Sequence, residues 1–172
     1  MAKGLLRSLR RAKAADQLVV KKTVAVNSVV NVAATSTAKG FGTGVIGGLP
    51  EGNILILGVI ANLAFAGPGA SADLSDTWNG DFAIGSTPNA DVTLSGTEVD
   101  VVPETAVGPA SSEVVAKFRT AVAAQSIIDN TAGTGELNLN ILIDAADIGD
   151  DTNVDITVTG EVYLAYMVLG DD

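Results

Sequence analysis

From residue 18 onward the apolar residues recur at every second position, a period that only a strand can use to bury one face and expose the other. Leu18, Val20, Val24, Val26, Val30 and Val32 share one side, while Lys21, Thr23, Asn27 and Asn31 take the other. This run reads as one long strand or as two joined at Asn27-Ser28. The alternation returns at Leu137, Leu139, Ile141 and Ile143, set against Glu136, Asn138 and Asn140. It returns again at Val154, Ile156, Val158, Val162, Leu164, Tyr166 and Val168. Residues 54–66 place Leu55, Leu57, Val59, Ala61, Leu63 and Phe65 on one face, and Ile54, Ile56 and Ile60 make the other partly apolar, which predicts a central strand.

The segments between these runs are rich in turn formers. Residues 35–53 contain six glycines and Pro50 and predict a loop. Within it Gly42, Gly44 and Gly47 match G-x-G-x-x-G, but that fingerprint must open a helix, and here Gly48, Leu49 and Pro50 follow. Residues 67–113 divide into short pieces at Gly67-Pro68-Gly69, Pro88-Asn89, Ser95-Gly96 and Gly108-Pro109. Residues 112–128 fit a helical face through Val114, Val115, Phe118, Ala121 and Val122 and fit an extended run equally.

About eight strands without βαβ alternation predict an all-β chain, specifically a two-sheet, jelly-roll-like β-sandwich. With 172 residues and 4% aromatics, one domain with a core of branched aliphatics is expected. Its organisation reads as a basic N-terminal arm with a short helix over residues 1–22 and a sandwich body over residues 23–172.

The chain holds no Cys and no His. Ser-His-Asp and Cys-His triads, disulfides and ordinary zinc sites are thereby excluded. Asp144, Asp147, Asp150, Asp151 and Asp155 are dense enough to raise calcium, but their spacing is not that of an EF-hand, and a solvated turn is the simpler reading. Nothing selects a carboxylate pair for glycoside hydrolysis, and aromatic platforms for sugar are few. Neither an enzyme nor a cofactor is expected.

Charge is divided sharply along the chain. Lys3, Arg7, Arg10, Arg11, Lys13, Lys21 and Lys22 precede residue 23 and Asp16 is the only acid there, so residues 1–22 carry 7 − 1 = +6 and residues 23–172 carry 3 − 19 = −16. Residues 3–15 put Leu5, Leu6, Leu9 and Ala12 on one side of a helix and Arg7, Arg10 and Arg11 on the other. Such a short helix needs a surface to order against. Lys3, Arg7, Arg10, Arg11 and Lys13 are the expected contacts to a protein lattice; without an aromatic residue for stacking, nucleic acid is the less favoured partner. The apolar run 54–66 falls short of a spanning helix, so neither a membrane partner nor export is expected.

The last strand carries a second apolar face at Tyr163, Ala165, Met167 and Leu169. A face of that kind needs cover from outside its own core, which predicts a homo-oligomer, most simply a trimer.

The stretches PEGNILILGVIANLAF, DTWNGDFAIGSTPNAD, IIDNTAGTGELNLNILIDAADIGDD and GEVYLAYMVLGDD together resemble small structural virion proteins of marine tailed bacteriophages, of the head decoration or cement type. The resemblance implies a protein of the capsid shell, made in the host cytoplasm, with the major capsid protein as partner. Two rivals stand beside it: a coat protein that itself forms the shell with its arm on nucleic acid, and a carbohydrate-binding sandwich of a tail or spike.

Overall fold

The computed structural model describes residues 19–35, 38–68, 74–75, 77–110, 114–120, 127–149 and 153–169. Lys3, Arg7, Arg10, Arg11 and Lys13, with the helix expected around them, lie outside the described residues. Among the described residues the chain is all-β apart from one 3-10 turn at Gly96–Glu98.

The strands are β1 (Val19–Thr35), β2 (Ala38–Gly48), β3 (Gly52–Ala66), β4 (Trp78–Gly85), β5 (Val102–Ala110), β6 (Val114–Thr120), β7 (Ile127–Asn130), β8 (Glu136–Ile143) and β9 (Val154–Val168). Every pairing between them is antiparallel, and they follow one hydrogen-bonded path, β5-β4-β8-β2-β1-β9-β3-β6, with β7 also on the edge of β3. β1 is one unbroken strand, paired with β9 from Val19↔Met167 to Val32↔Val154.

The sheet curls where β1 meets β2. These strands pair only at Ala33↔Phe41 and Thr35↔Ala38. Beyond those pairs β2 still presses against β1, and its glycines permit the approach: a Cβ on Gly42 would collide with the Asn31 carbonyl, and one on Gly44 would lie 2.9 Å from Val30 Cγ2. The glycine-rich segment expected to be a loop is therefore a strand, paired with β8 through Gly40↔Ile143 to Gly48↔Glu136. Its glycines reduce strand propensity, but the β8 ladder and the corner they allow outweigh that cost. Residues 114–120 are likewise extended, held on β3 by pairs from Val59↔Thr120 to Phe65↔Val114.

The concave side of the curl holds one continuous aliphatic core, including Val24, Val26, Val30, Ile54, Ile56, Val59, Phe65, Leu139, Ile141, Val158 and Val162. Phe65 and Phe82 meet there with ring centroids 5.1 Å apart. Leu57 corrects the expected pattern. Ile56 pairs with Tyr166 but Gly58 pairs with Ala165, so Leu57 is an extra residue, a β-bulge that reverses the phase of the strand. Ile54 and Ile56 point inward before the bulge, Val59, Ala61, Leu63 and Phe65 after it, and Leu57 itself is 46% exposed.

A second, smaller core lies on the convex side of β4 and β8. Ala83, Leu94 and Leu142 are buried there, with Phe41 and Val99 against them. The connection 86–100 supplies Leu94 and Val99, so it acts as a cover over the outer side of β4 and β8. This cover explains why Asn138 and Asn140, on the face the alternation marks as polar, are buried.

Candidate functional site

Two surfaces concentrate the side chains that could do more than fill space. The first is the polar lining beneath the 86–100 cover. Asn140 is fully buried and satisfies four partners: its Oδ1 accepts from Thr43 Oγ1 at 2.8 Å and from the Asn89 amide at 2.9 Å, and its Nδ2 donates to the Thr87 carbonyl at 3.1 Å and the Glu98 carbonyl at 2.9 Å. One Asn side chain has this capacity, two donors and two lone pairs, and all of it is used. Asp100 closes the same cover, accepting from the Ser86 amide at 2.8 Å and the Ser86 hydroxyl at 2.6 Å. Burial pushes its carboxyl above the usual Asp range, and the Ser86 bonds offset that only in part. These groups are spent on holding the loop, which makes the cover a structural fastening rather than a reactive site.

The aspartates weighed for calcium are engaged with other side chains and backbone where they are described. Asp144 Oδ1 faces Lys39 Nζ at 3.4 Å, and Lys39 also pairs with Asp81 at 3.1 Å. Asp147 accepts from the Asn79 amide at 2.8 Å, and Asp155 from Asn31 Nδ2 at 2.8 Å. Asp150 and Asp151 lie outside the described residues. Among the described residues no group of three or more acids is placed to hold a metal ion. The G-x-G-x-x-G glycines lie within β2, with no helix N-terminus after them to receive a phosphate.

The second surface is the convex face of β1, β9, β3 and β7. Register sets its residues in rows. Val19, Met167, Leu55 and Ile127 lie side by side across four strands, then Lys21, Ala165 and Gly58, then Thr23, Tyr163 and Ile60. Val19, Leu57, Ile60, Ile127, Tyr163 and Leu169 are all exposed, at 42–55%. Ala165 and Met167 are half-buried between their neighbours. Thus Tyr163, Ala165 and Met167 share one outward face, as their odd spacing on β9 requires, and Leu169, just past the end of the strand, is exposed as well.

The middle row is low. Gly58 and Ala165 form the floor of a depression of about 500 Å³, with Ile60 and Tyr163 on one side and Lys21 and Thr23 on another. A Cβ placed on Gly58 would meet nothing within 4 Å. At the rim the Tyr163 hydroxyl donates to the Glu161 carboxylate, and that bond holds the phenol above its ordinary pKa. Alternation on β9 alone signals only one stripe of this surface. Val19, Leu55, Leu57, Ile60 and Ile127 join it through the pairing register and the bulge, neither of which has a local sequence signature.

No protein-family model, curated protein or solved structure matches this chain.

Proposed function

We propose that the chain is a non-enzymatic structural protein of a virion, a decoration or cement component that binds and stabilises a phage capsid shell. The observation that carries this reading is the broad apolar convex face of β1, β9, β3 and β7. A monomer that leaves contiguous apolar surface of this kind in water is under pressure to bury it, and subunit contact is the usual way. The finer architecture belongs to the same proposal: the curled sheet is read as a jelly-roll-like sandwich folded at the β1–β2 corner. Copies associate through Tyr163, Ala165, Met167 and Leu169, most simply as a trimer. The basic residues Lys3, Arg7, Arg10, Arg11 and Lys13 contact the major capsid protein.

The division of charge supports this arrangement, since residues 1–22 are net basic while residues 23–172 are strongly acidic. A ligand that binds only the intact lattice stabilises it by mass action, so no chemistry beyond area burial is required. The test is a mass-spectrometric inventory of purified virions with stoichiometry, together with binding of the pure protein to heads that lack it. A fixed ratio to the major capsid protein, and binding that weakens as salt rises from about 0.05 M toward 1 M, is expected. Absence from virions, or no affinity for shells at low salt, overturns the reading.

A further inference from the structure

The depression above Gly58 and Ala165 comes from small side chains in one row of the convex face. Lys21 on β1, Ala165 on β9 and Gly58 on β3 lie side by side, and the next row is Thr23, Tyr163 and Ile60. Glycine and alanine leave the floor low, while Tyr163 and Ile60 stand as a wall beside it. At about 500 Å³ the hollow is of the size that small-molecule ligands fill. From β1 across β9 to β3 is two strand spacings, so a linear group laid along the row has roughly 10 Å of floor.

The β1 end of this floor is basic. Among the described residues, the charged ones lining the hollow are Lys21 and Lys22. Lys22 Nζ donates to the Gly48 carbonyl at 2.8 Å. Lys21 is exposed, and among the described residues no acid pairs with it, although residues 23–172 carry 19 acids. The first acid along this face of β9 is Glu161, four residues from Ala165 and so roughly 13 Å away along the strand, beyond the screening length of about 8 Å at physiological salt. Its carboxylate is engaged by the Tyr163 hydroxyl. Thr23, one row from Lys21 on the same face of β1, adds a hydroxyl at the same end.

This arrangement selects an occupant with an anionic head and a tail free of hydrogen-bonding groups. Across the row β1, β9 and β3 pair with one another through Lys21↔Ala165 and Gly58↔Ala165, so their backbone groups are engaged within the sheet. A peptide laid there would bring its own N–H and C=O groups out of water onto a floor that offers them no partners, whereas an alkyl chain brings none. A saturated chain extends by roughly 1.2 Å per bond, so about eight to ten carbons match the floor.

We propose that the depression is a binding site for a free medium-chain carboxylate. Its tail lies on Gly58 and Ala165 against Ile60 and Tyr163, and its head sits between Lys21 Nζ and the Thr23 hydroxyl. The site stands on the depression alone and does not depend on the proposed capsid role.

Decanoate, kept below its micelle concentration, tests this on the unmodified chain. It should bind saturably, one per chain, and shift the backbone amide signals of Lys21, Thr23, Gly58 and Ala165 in an NMR titration. Decanol should bind about fivefold more weakly, the worth of one exposed ion pair, and decyltrimethylammonium more weakly still. Equal affinity for all of them, or shifts confined to other residues, overturns the proposal. Lys21→Met should lower the affinity for decanoate to that for decanol and leave decanol unchanged; undiminished decanoate binding removes the head from Lys21 and sinks the site as drawn. Gly58→Leu, at a position where a Cβ meets nothing within 4 Å, should keep the circular dichroism of the fold and abolish binding of both. Retained binding in that variant puts the tail elsewhere and is equally fatal. Affinity for decanoate that falls as protein concentration rises assigns the depression to a second copy of the chain. Binding to phosphatidylglycerol vesicles without saturable decanoate binding assigns it to a membrane surface, and either result rules out the carboxylate.

Discussion

Replacing Asn140 tests whether one buried amide fastens the 86–100 cover. In Asn140→Ala the Asn89 amide and the Thr87 and Glu98 carbonyls each lose a partner, while the exposed Thr43 hydroxyl can turn to water. An unsatisfied buried polar group costs about 1–3 kcal/mol. Thr87 and Glu98 are half-buried and water can reach their carbonyls, so each falls at the low end, whereas Asn89 is buried. The sum is about 3–5 kcal/mol, a large share of the roughly 5–15 kcal/mol that holds a domain together. Asn140→Asp keeps the shape but turns a second carboxylate oxygen toward the same two carbonyls. Burial and those carbonyls should raise the folded-state pKa of the new acid above its unfolded value. The folded state then binds more protons, so the penalty is fully present above the raised pKa and is relieved as pH falls through it. Urea unfolding near pH 7 and near pH 5 should show Asn140→Ala equally destabilised at both and Asn140→Asp recovering at the lower. Loss of hydrogen-exchange protection at the Asn89 amide should accompany Asn140→Ala, whereas Asn140→Asp keeps an acceptor for that amide. A cost below about 1 kcal/mol in Asn140→Ala, with the Asn89 amide still protected, would refute the argument.

The bulge predicts opposite sensitivities at neighbouring positions: Leu57→Ala should cost under about 0.5 kcal/mol in urea unfolding, and Val59→Ala about 1–3 kcal/mol. Equal costs would place the phase reversal elsewhere. Gly160 has φ +136°, and a Cβ there would collide with the Asn62 carbonyl, so Gly160→Ala should lower the melting temperature by well over 5 °C or prevent folding. Asp100 should titrate above the ordinary Asp range in a carboxyl-resolved NMR experiment; because its folded pKa is raised, its contribution becomes more favourable as pH falls through that value, and Asp100→Asn should remove that part of the slope. If the convex face joins subunits, Met167→Asp/Leu169→Asp should abolish whatever association the unmodified chain shows by sedimentation, with its circular dichroism unchanged; retention of the oligomer would exclude this face as the interface.

The all-β class was legible in the sequence, because a period of two in Val, Leu and Ile has no other efficient way to bury one face. β1, β8 and β9 were readable for the same reason, including the inward residues Val24, Val26, Leu139, Ile141, Val158 and Val162. So was the outward apolar stripe at Tyr163, Ala165 and Met167. What alternation cannot reveal is an inserted residue or a cover. The bulge at Leu57 leaves the composition of β3 unchanged and reverses half its faces, and only the register against Tyr166 and Ala165 exposes it. Gly42 and Gly44 look like loop residues until β1 lies against them, since a missing Cβ serves a turn and a close strand crossing alike. Asn138 and Asn140 keep the polar phase of β8 yet are buried, because the 86–100 connection folds back over them. Local pattern determines which residues share a face only where no residue is inserted; the insertion itself, and what lies against each face, depend on contacts between residues distant in the chain, and those belong to the tertiary structure alone.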